Sequence, residues 1–295
     1  MNMTAYIFAG QGSQFPGMGK ELYDSSSKIK ELYTEAEEIL GFKISEVMHH
    51  GTAEDLKKTS VTQPAVFIHA YAQVIQAGDG FNPSAVAGHS LGEFTALTAA
   101  GVLRFADGIR LVKTRADAMQ KACDDQPGTM AAILGLEDQI VEEVCNEVSG
   151  TVVAANYNCP GQLVISGEIS AIEKAAEVLK EKGARRALIL PVGGAFHSPL
   201  MASARKTLEE AINNTAFNAP ICSVYQNVDA QPHRDHGAIK QNLIDQLTGS
   251  VRWTQTIQNM IAEGIVDFKE VGGTGKVLSG MVRKIDRSVT ISPIN

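Results

Sequence analysis

Cysteine is scarce in this chain and badly spaced for its structural uses. Cys123, Cys145, Cys159 and Cys222 include no Cys-x-x-Cys pair. That speaks against a disulfide framework and a zinc site, and leaves a reducing, cytoplasmic setting with no bound metal as the expectation. Long apolar runs are missing as well. The richest Ala/Leu/Val stretch is broken by His89, Ser90 and Glu93, so nothing reaches the roughly 18 residues of a membrane span. The start, Met1-Asn2-Met3-Thr4, has no basic segment leading into an apolar one, and a secretory signal is not expected. There is no excess of positive charge. The formal net charge is −7 with Lys and Arg dispersed, which gives nucleic acid no electrostatic footprint.

What is present fits a globular protein of one large core plus a smaller unit, at 295 residues, 44% hydrophobic and 20% charged. The apolar run 5–9 stops at Gly10-Gln11-Gly12-Ser13-Gln14 and predicts a buried strand feeding a loop. Helical patterns follow to about residue 40 and over 63–76. A second buried strand is expected at 84–88, with a helix over 91–100. Strand, sharp turn and helix predict an α/β fold with a parallel sheet and a site at the strands' carboxyl ends. The texture changes near Pro127-Gly128. Strands at 129–134, 152–156, 162–166 and 187–190, with helices over 138–148 and 170–182, give the order βαββαβ of a ferredoxin-like unit. Because this stretch separates Ser90 from His197, residues 127–194 are expected as an insertion into a core made of 1–126 and 195–295.

Gly88-His89-Ser90-Leu91-Gly92 matches Gly-x-Ser-x-Gly. That spacing suits a strand-to-helix turn so tight that only glycines fit beside a serine projected at a helix N-terminus. The Leu91 N–H then points where an oxyanion would form. On spacing alone the segment could be an ordinary turn, but Gln11 lies in a similar Gly-rich turn after the first strand. Seven histidines compete as base. His49 and His50 read as solvated at a helix end, and His69 as packed within an apolar helix. His233 and His236 read as a charged surface loop, and His89 as facing the wrong side of the turn. His197, in the Gly-rich segment Gly193-Gly194-Ala195-Phe196-His197-Ser198-Pro199, follows Ser90 in the order of a hydrolase-like layout. No Asp or Glu stands out as a third member. Two other glycine runs read as structural turns: Phe15 replaces the third glycine of a dinucleotide fingerprint after Gly10, and Glu270 and Val277 break a phosphate-loop pattern around 272–276.

Together, residues 8–14, Thr62-Gln63-Pro64, Gly88-His89-Ser90-Leu91-Gly92-Glu93, Thr114-Arg115-Ala116 and 195–201 resemble the malonyl-CoA:acyl carrier protein transacylases over essentially the whole chain. The resemblance implies an α/β-hydrolase-like core with an inserted ferredoxin-like subdomain. It implies Ser90 as the acylated nucleophile, His197 as base, and the Gln11 and Leu91 N–H groups as oxyanion donors. The carbonyl of Gln246 would orient His197, and Arg115 would pair with the malonyl carboxylate. On composition alone Arg115 would pass for a solvated helix residue. Gln63, Asn156 and Asn158 would line the pocket. The implied partners are malonyl-CoA and an acyl carrier protein bearing a pantetheine arm, with no cofactor. One departure is visible: Val271-Gly272-Gly273-Thr274-Gly275-Lys276 is a residue longer than the family's usual turn.

Two rivals remain at this level. A serine thioesterase or esterase would use the same serine and histidine, and would release free acid instead of labelling a thiol acceptor. A non-catalytic carrier-binding scaffold would form no acyl-enzyme. An acidic carrier meeting an acidic chain needs a local cationic rim. The densest candidates are Lys180, Lys182, Arg185 and Arg186, and Lys276, Arg283, Lys284 and Arg287.

Overall fold

The computed structural model describes residues 3–294. Met1 and Asn2, on which half of the signal-peptide expectation rests, lie outside the described residues. The strands are β1 (Thr4–Phe8), β2 (Ala85–Gly88), β3 (Gly128–Leu134), β4 (Val152–Cys159), β5 (Gln162–Glu168), β6 (Arg186–Ile189), β7 (Ser223–Tyr225), β8 (Pro232–His233), β9 (Asp267–Val271) and β10 (Thr290–Pro293). Two sheets result, with strand orders β10-β9-β1-β2-β7-β8 and β4-β5-β3-β6. The first is parallel from β10 to β7. Only the two-residue β8 runs antiparallel, at the edge beside β7.

Alternation along β1 explains why this sheet is covered on both sides. Ala5, Ile7 and Ala9 enter one apolar cluster with Trp253, Ile257 and Phe268, whereas Tyr6 and Phe8 enter another with Phe67, Phe94 and Leu97. A strand buried on both faces reads as a continuous apolar run. β1 sits between β2 and β9, so the strand order reverses there, and the crevice at the carboxyl ends of β1 and β2 is the natural place for a ligand.

The second sheet is antiparallel throughout. Its helices Asp138–Glu147 and Ile169–Glu181 pack a separate apolar cluster that includes Ile133, Val144, Ile165, Ile172 and Leu179. The order strand, helix, strand, strand, helix, strand is the one the sequence predicts. β4 reaches further than expected, through Asn158 and Cys159, so the turn shrinks to Pro160-Gly161, where Gly161 takes φ 71°. The sheet is also fastened to the distant segment 249–254. Val251 pairs with Asn156, the Ser250 hydroxyl donates to Ala154 O at 2.7 Å, and the Thr254 hydroxyl donates to Tyr157 O at 3.0 Å.

Two helical expectations need correction. The helix expected from 63 begins four residues earlier, Thr59–Ala77, with Pro64 inside it; a proline this near the start removes only an early hydrogen bond. His49 is half-buried, not free in solvent. Its ring lies 5.1 Å from that of Tyr23 and 5.6 Å from that of Tyr33, and burial lowers its pKa.

Candidate active site

The Gly88–Gly92 turn is closed by close approach, not by sequence preference. A Cβ on Gly88 would overlap the backbone of Gly92, and one on Gly92 would overlap the Phe8 carbonyl. Both glycines are therefore required for the helix Gly92–Ala99 to start directly off β2 and against β1. Ser90 between them adopts φ 52°, a left-handed conformation that a serine takes only when its surroundings impose it. Gly10 has the same constraint: a Cβ there would overlap the His89 carbonyl, so the loop carrying Gln11 lies directly on the nucleophile's turn. Among the described residues, neither Gln11 N–H nor Leu91 N–H donates a hydrogen bond, which leaves both donors available beside Ser90.

His197 enters from the segment after β6. It also stands at positive φ, 58°. The Ser198 hydroxyl donates to Ala195 O at 2.6 Å and accepts from Leu200 N–H, and Pro199 begins the short turn Pro199–Met201. The ring Nδ1 lies 2.9 Å from Gln246 O and 3.2 Å from Gly249 O. Carbonyls only accept, so Nδ1 carries the proton and Nε2 is the free base. That nitrogen is 2.7 Å from Ser90 Oγ. The hydroxyl therefore donates to Nε2 with no carboxylate behind the ring.

Arg115 completes the group. Projecting from the helix Phe105–Asp125, it is 1% exposed. Its Nη2 donates to Ser90 Oγ at 3.0 Å, and its Nη1 donates to Gln63 Oε1 at 2.8 Å. Among the described residues no carboxylate pairs with it. Burial pushes it down to about 10, partly opposed by the Glu93 charge, so it remains a cation at neutral pH. Burial also pushes His197 down to about 3; the Arg115 charge adds to this and the Gln246 carbonyl opposes it. A neutral imidazole beside a serine hydroxyl is the state a general base requires.

The remaining sequence-derived residues divide. Gln63 supports the guanidinium. Gln246 contributes its carbonyl to His197, and its side-chain amide donates to Ser90 O at 3.0 Å. Asn158 Oδ1 lies 2.9 Å from His89 Nε2, and that imidazole packs edge-on against Trp253, 5.5 Å between ring centres. Asn156 is buried on β4, at the pairing with Val251, and is not among the side chains bonded to Ser90, His197 or Arg115. Asn227 was not singled out from the sequence. Its amide bonds to Ser90 N–H and Gly88 O, and its own N–H donates to Glu93 Oε2. Burial pushes Glu93 up to about 7, against the donors Asn227 N–H and Gln226. Nothing in Tyr225-Gln226-Asn227 sets that asparagine apart in the sequence from other polar residues near a short strand.

The long glycine turn has a structural explanation. Gly272, Gly273 and Gly275 all take positive φ, and the Glu270 carboxylate accepts the N–H groups of Val277, Leu278 and Ser279. The helix N-terminus that a phosphate would need is filled by the chain itself.

Known proteins resemble this chain over its full length. The model of the acyl transferase domain matches residues 5–281. The malonyl CoA-acyl carrier protein transacylase of Bacillus subtilis (strain 168) is 43% identical over 97% of this chain and 92% of its own length. That of Escherichia coli (strain K12) is 41% identical over 100% and 96%. Among solved structures, the malonyl CoA-acyl carrier protein transacylase from Coxiella burnetii superposes with a TM-score of 0.95 at 36% identity, covering 99% of this chain and 94% of that one. A malonyl-transacylase solved in complex with its type II PKS acyl-carrier protein does so with a TM-score of 0.95 at 36% identity, covering 100% and 96%. With the full length matched at these identities and the serine, histidine and arginine brought together as described, this chain belongs to the acyl transferase domain family and, within it, to the malonyl CoA-acyl carrier protein transacylases.

Proposed function

We propose that this chain transfers a malonyl group from malonyl-CoA to the pantetheine thiol of an acyl carrier protein through a Ser90 acyl-enzyme, supplying fatty-acid or polyketide chain elongation. The observation that carries the reading is the buried, carboxylate-free guanidinium of Arg115 at the nucleophile. A planar fork of donors takes a carboxylate through two parallel bonds, and a thioester ending in a carboxylate would place its carbonyl at Ser90.

In the first step the Ser90 hydroxyl gives its proton to His197 Nε2 as Oγ attacks the thioester carbonyl. The oxyanion is held by the Gln11 and Leu91 N–H groups. Collapse breaks the carbon–sulfur bond, and the coenzyme A sulfur takes the proton from His197. The carrier thiol then gives its proton to His197 and attacks the acyl-serine, and collapse returns the proton to Ser90. No electrons are transferred, and the proposal includes neither cofactor nor metal. Gln63 acts through Arg115 in this scheme; Asn156 and Asn158 line the pocket on the subdomain side.

The architecture is read as a hydrolase-like core, 1–126 and 195–295, with a ferredoxin-like insertion, 127–194. The separate apolar cluster of the second sheet supports that division. A cytoplasmic setting belongs to the same reading, supported by four free cysteines; no helix among the described residues is long and apolar enough to cross a membrane. The carrier would dock on Lys180, Lys182, Arg185 and Arg186, at the end of the helix Ile169–Glu181 and on the segment that leads through β6 toward the His197 loop.

Intact mass after exposure to malonyl-CoA alone tests the proposal. One malonyl adduct is expected on the wild type and none on Ser90→Ala. An adduct of normal yield on the alanine variant defeats the assignment, and release of free malonate with no labelling of a thiol acceptor favours the thioesterase.

A further inference from the structure

Ser90 must be kept in a backbone conformation that serine disfavours, and its glycine neighbours permit that conformation without preferring it. The bonds that close the turn, Gly92 N–H to His89 O and Glu93 N–H to Ser90 O, begin the helix and leave the Ser90 N–H facing outward. That N–H donates to Asn227 Oδ1 at 2.7 Å, and Asn227 Nδ2 donates to Gly88 O at 2.6 Å. The amide orientation is forced, because the Ser90 N–H only donates and the Gly88 carbonyl only accepts. One planar amide thus spans residues 88 and 90. Turning Ser90 toward an ordinary helical or extended conformation would swing its N–H off the amide.

Asn227 is itself held firmly. It is fully buried, its N–H donates to Glu93 Oε2 at 2.8 Å, and its carbonyl accepts the Arg252 N–H at 2.9 Å. Gln226 Nε2 donates to the other Glu93 oxygen at 3.0 Å. Asn227, just past the end of β7, is thus held by Glu93 in the first turn of the helix Gly92–Ala99 and by the Arg252 N–H, while its amide grips the end of β2 and the turn that follows.

We infer that Asn227 is a positioning residue for the nucleophile, whose amide clamps residues 88–90 so that Ser90 Oγ stays in line with His197 Nε2. The inference rests on the acyl-enzyme reading above. Reactive geometry is steep in distance: a misplacement of about 1 Å costs about 10²-fold in rate.

The test compares wild type with Asn227→Ala in three measurements, on protein shown to be folded by its thermal transition. Acylation at saturating malonyl-CoA should fall by about 10- to 100-fold. Ser90 labelling by an alkyl fluorophosphonate should fall in the same proportion; this reagent forms a serine–phosphorus bond with loss of fluoride and makes no use of the malonyl pocket. Binding of malonyl-CoA, measured in a Ser90→Ala background, should change by less than about threefold. A folded Asn227→Ala protein that labels at the wild-type rate overturns the inference, as does a loss of acylation matched by an equal loss of binding. If alanine prevents folding, Asn227→Asp carries the same test. It keeps an acceptor for the Ser90 N–H and loses the donor to Gly88 O, so slowed labelling with binding retained supports the clamp and unchanged labelling overturns it. Should wild type be labelled by fluorophosphonate but form no malonyl adduct, the substrate reading fails while the labelling ratio still decides the role of Asn227.

Discussion

Ser90 and His197 both stand at positive φ, 52° and 58°, yet the turns that carry them are built differently. Around Ser90 the backbone is tightly packed: Gly88, Gly92 and Gly10 each lie where a single methyl would overlap neighbouring backbone. Around His197 the packing is uneven. A Cβ on Gly193 would meet nothing within 4 Å, whereas one on Gly194 would overlap the Cys123 sulfur, a side-chain atom and not backbone. The base takes its orientation from outside its own loop, through the carbonyls of Gln246 and Gly249. The nucleophile's turn is thus fixed by close backbone packing together with the Asn227 amide, and the base by main-chain carbonyls from a distant segment, so the two should respond differently to substitution.

The largest effect after loss of the serine itself should come from His197→Ala. Acylation is expected to slow by about 10² to 10⁴-fold, the scale of a positioned general base, with residual activity from the oxyanion donors. Single-turnover kinetics at saturating malonyl-CoA measure this, and a wild-type rate would move the base elsewhere. Arg115→Ala should lower the malonyl-to-acetyl ratio of kcat/KM by about 10-fold or more. It removes a cation that a neutral acyl group leaves unpaired; an unchanged ratio would make Arg115 structural.

The contrast in construction has its own test. Gly92→Ala should cost more than about 2 kcal/mol in urea unfolding, because the Phe8 carbonyl cannot withdraw from β1. Gly193→Ala should stay within about 0.5 kcal/mol. Equal costs would erase the distinction between the two loops.

The smallest effect concerns pH. His197 works as a base only when neutral, and it is pushed down to about 3. Acylation kcat/KM should therefore be flat from about pH 5 to 8, with no break near the usual histidine value. Between the folded and unfolded values the unfolded chain binds the extra proton. The stability contributed by the neutral ring is complete above about 6.5 and is lost as pH falls toward 3. In Arg115→Ala the break should move up toward neutrality; a profile that stays in place would mean burial alone sets the value.

These differences also account for what could be read in the sequence. The Ser90 turn was legible because close approach imposes glycine at fixed positions, and the second sheet because strands and helices of ordinary length alternate there. His197 could be picked by order and by elimination. The partners of these residues could not be read. Gln246, Gly249 and Asn227 act across about 50 to 140 positions of chain, and the first two through main-chain oxygens that every residue type possesses. Gln246 emerged only through resemblance. Asn227 looked like any polar residue after a short strand, and the ring contacts of His49 depend on tyrosines from two other helices.

The fastening of β4 to residues 249–254 bears on how the molecule can be re-engineered. A chimera exchanging only 127–194 with a relative would preserve both chain crossovers but cut a third seam, at Asn156 and Val251. Because Gly249 adjoins that seam, a graft would need 249–254 to travel with it if the imidazole is to keep its tilt. The exchangeable cassette is therefore two segments of the gene, not one.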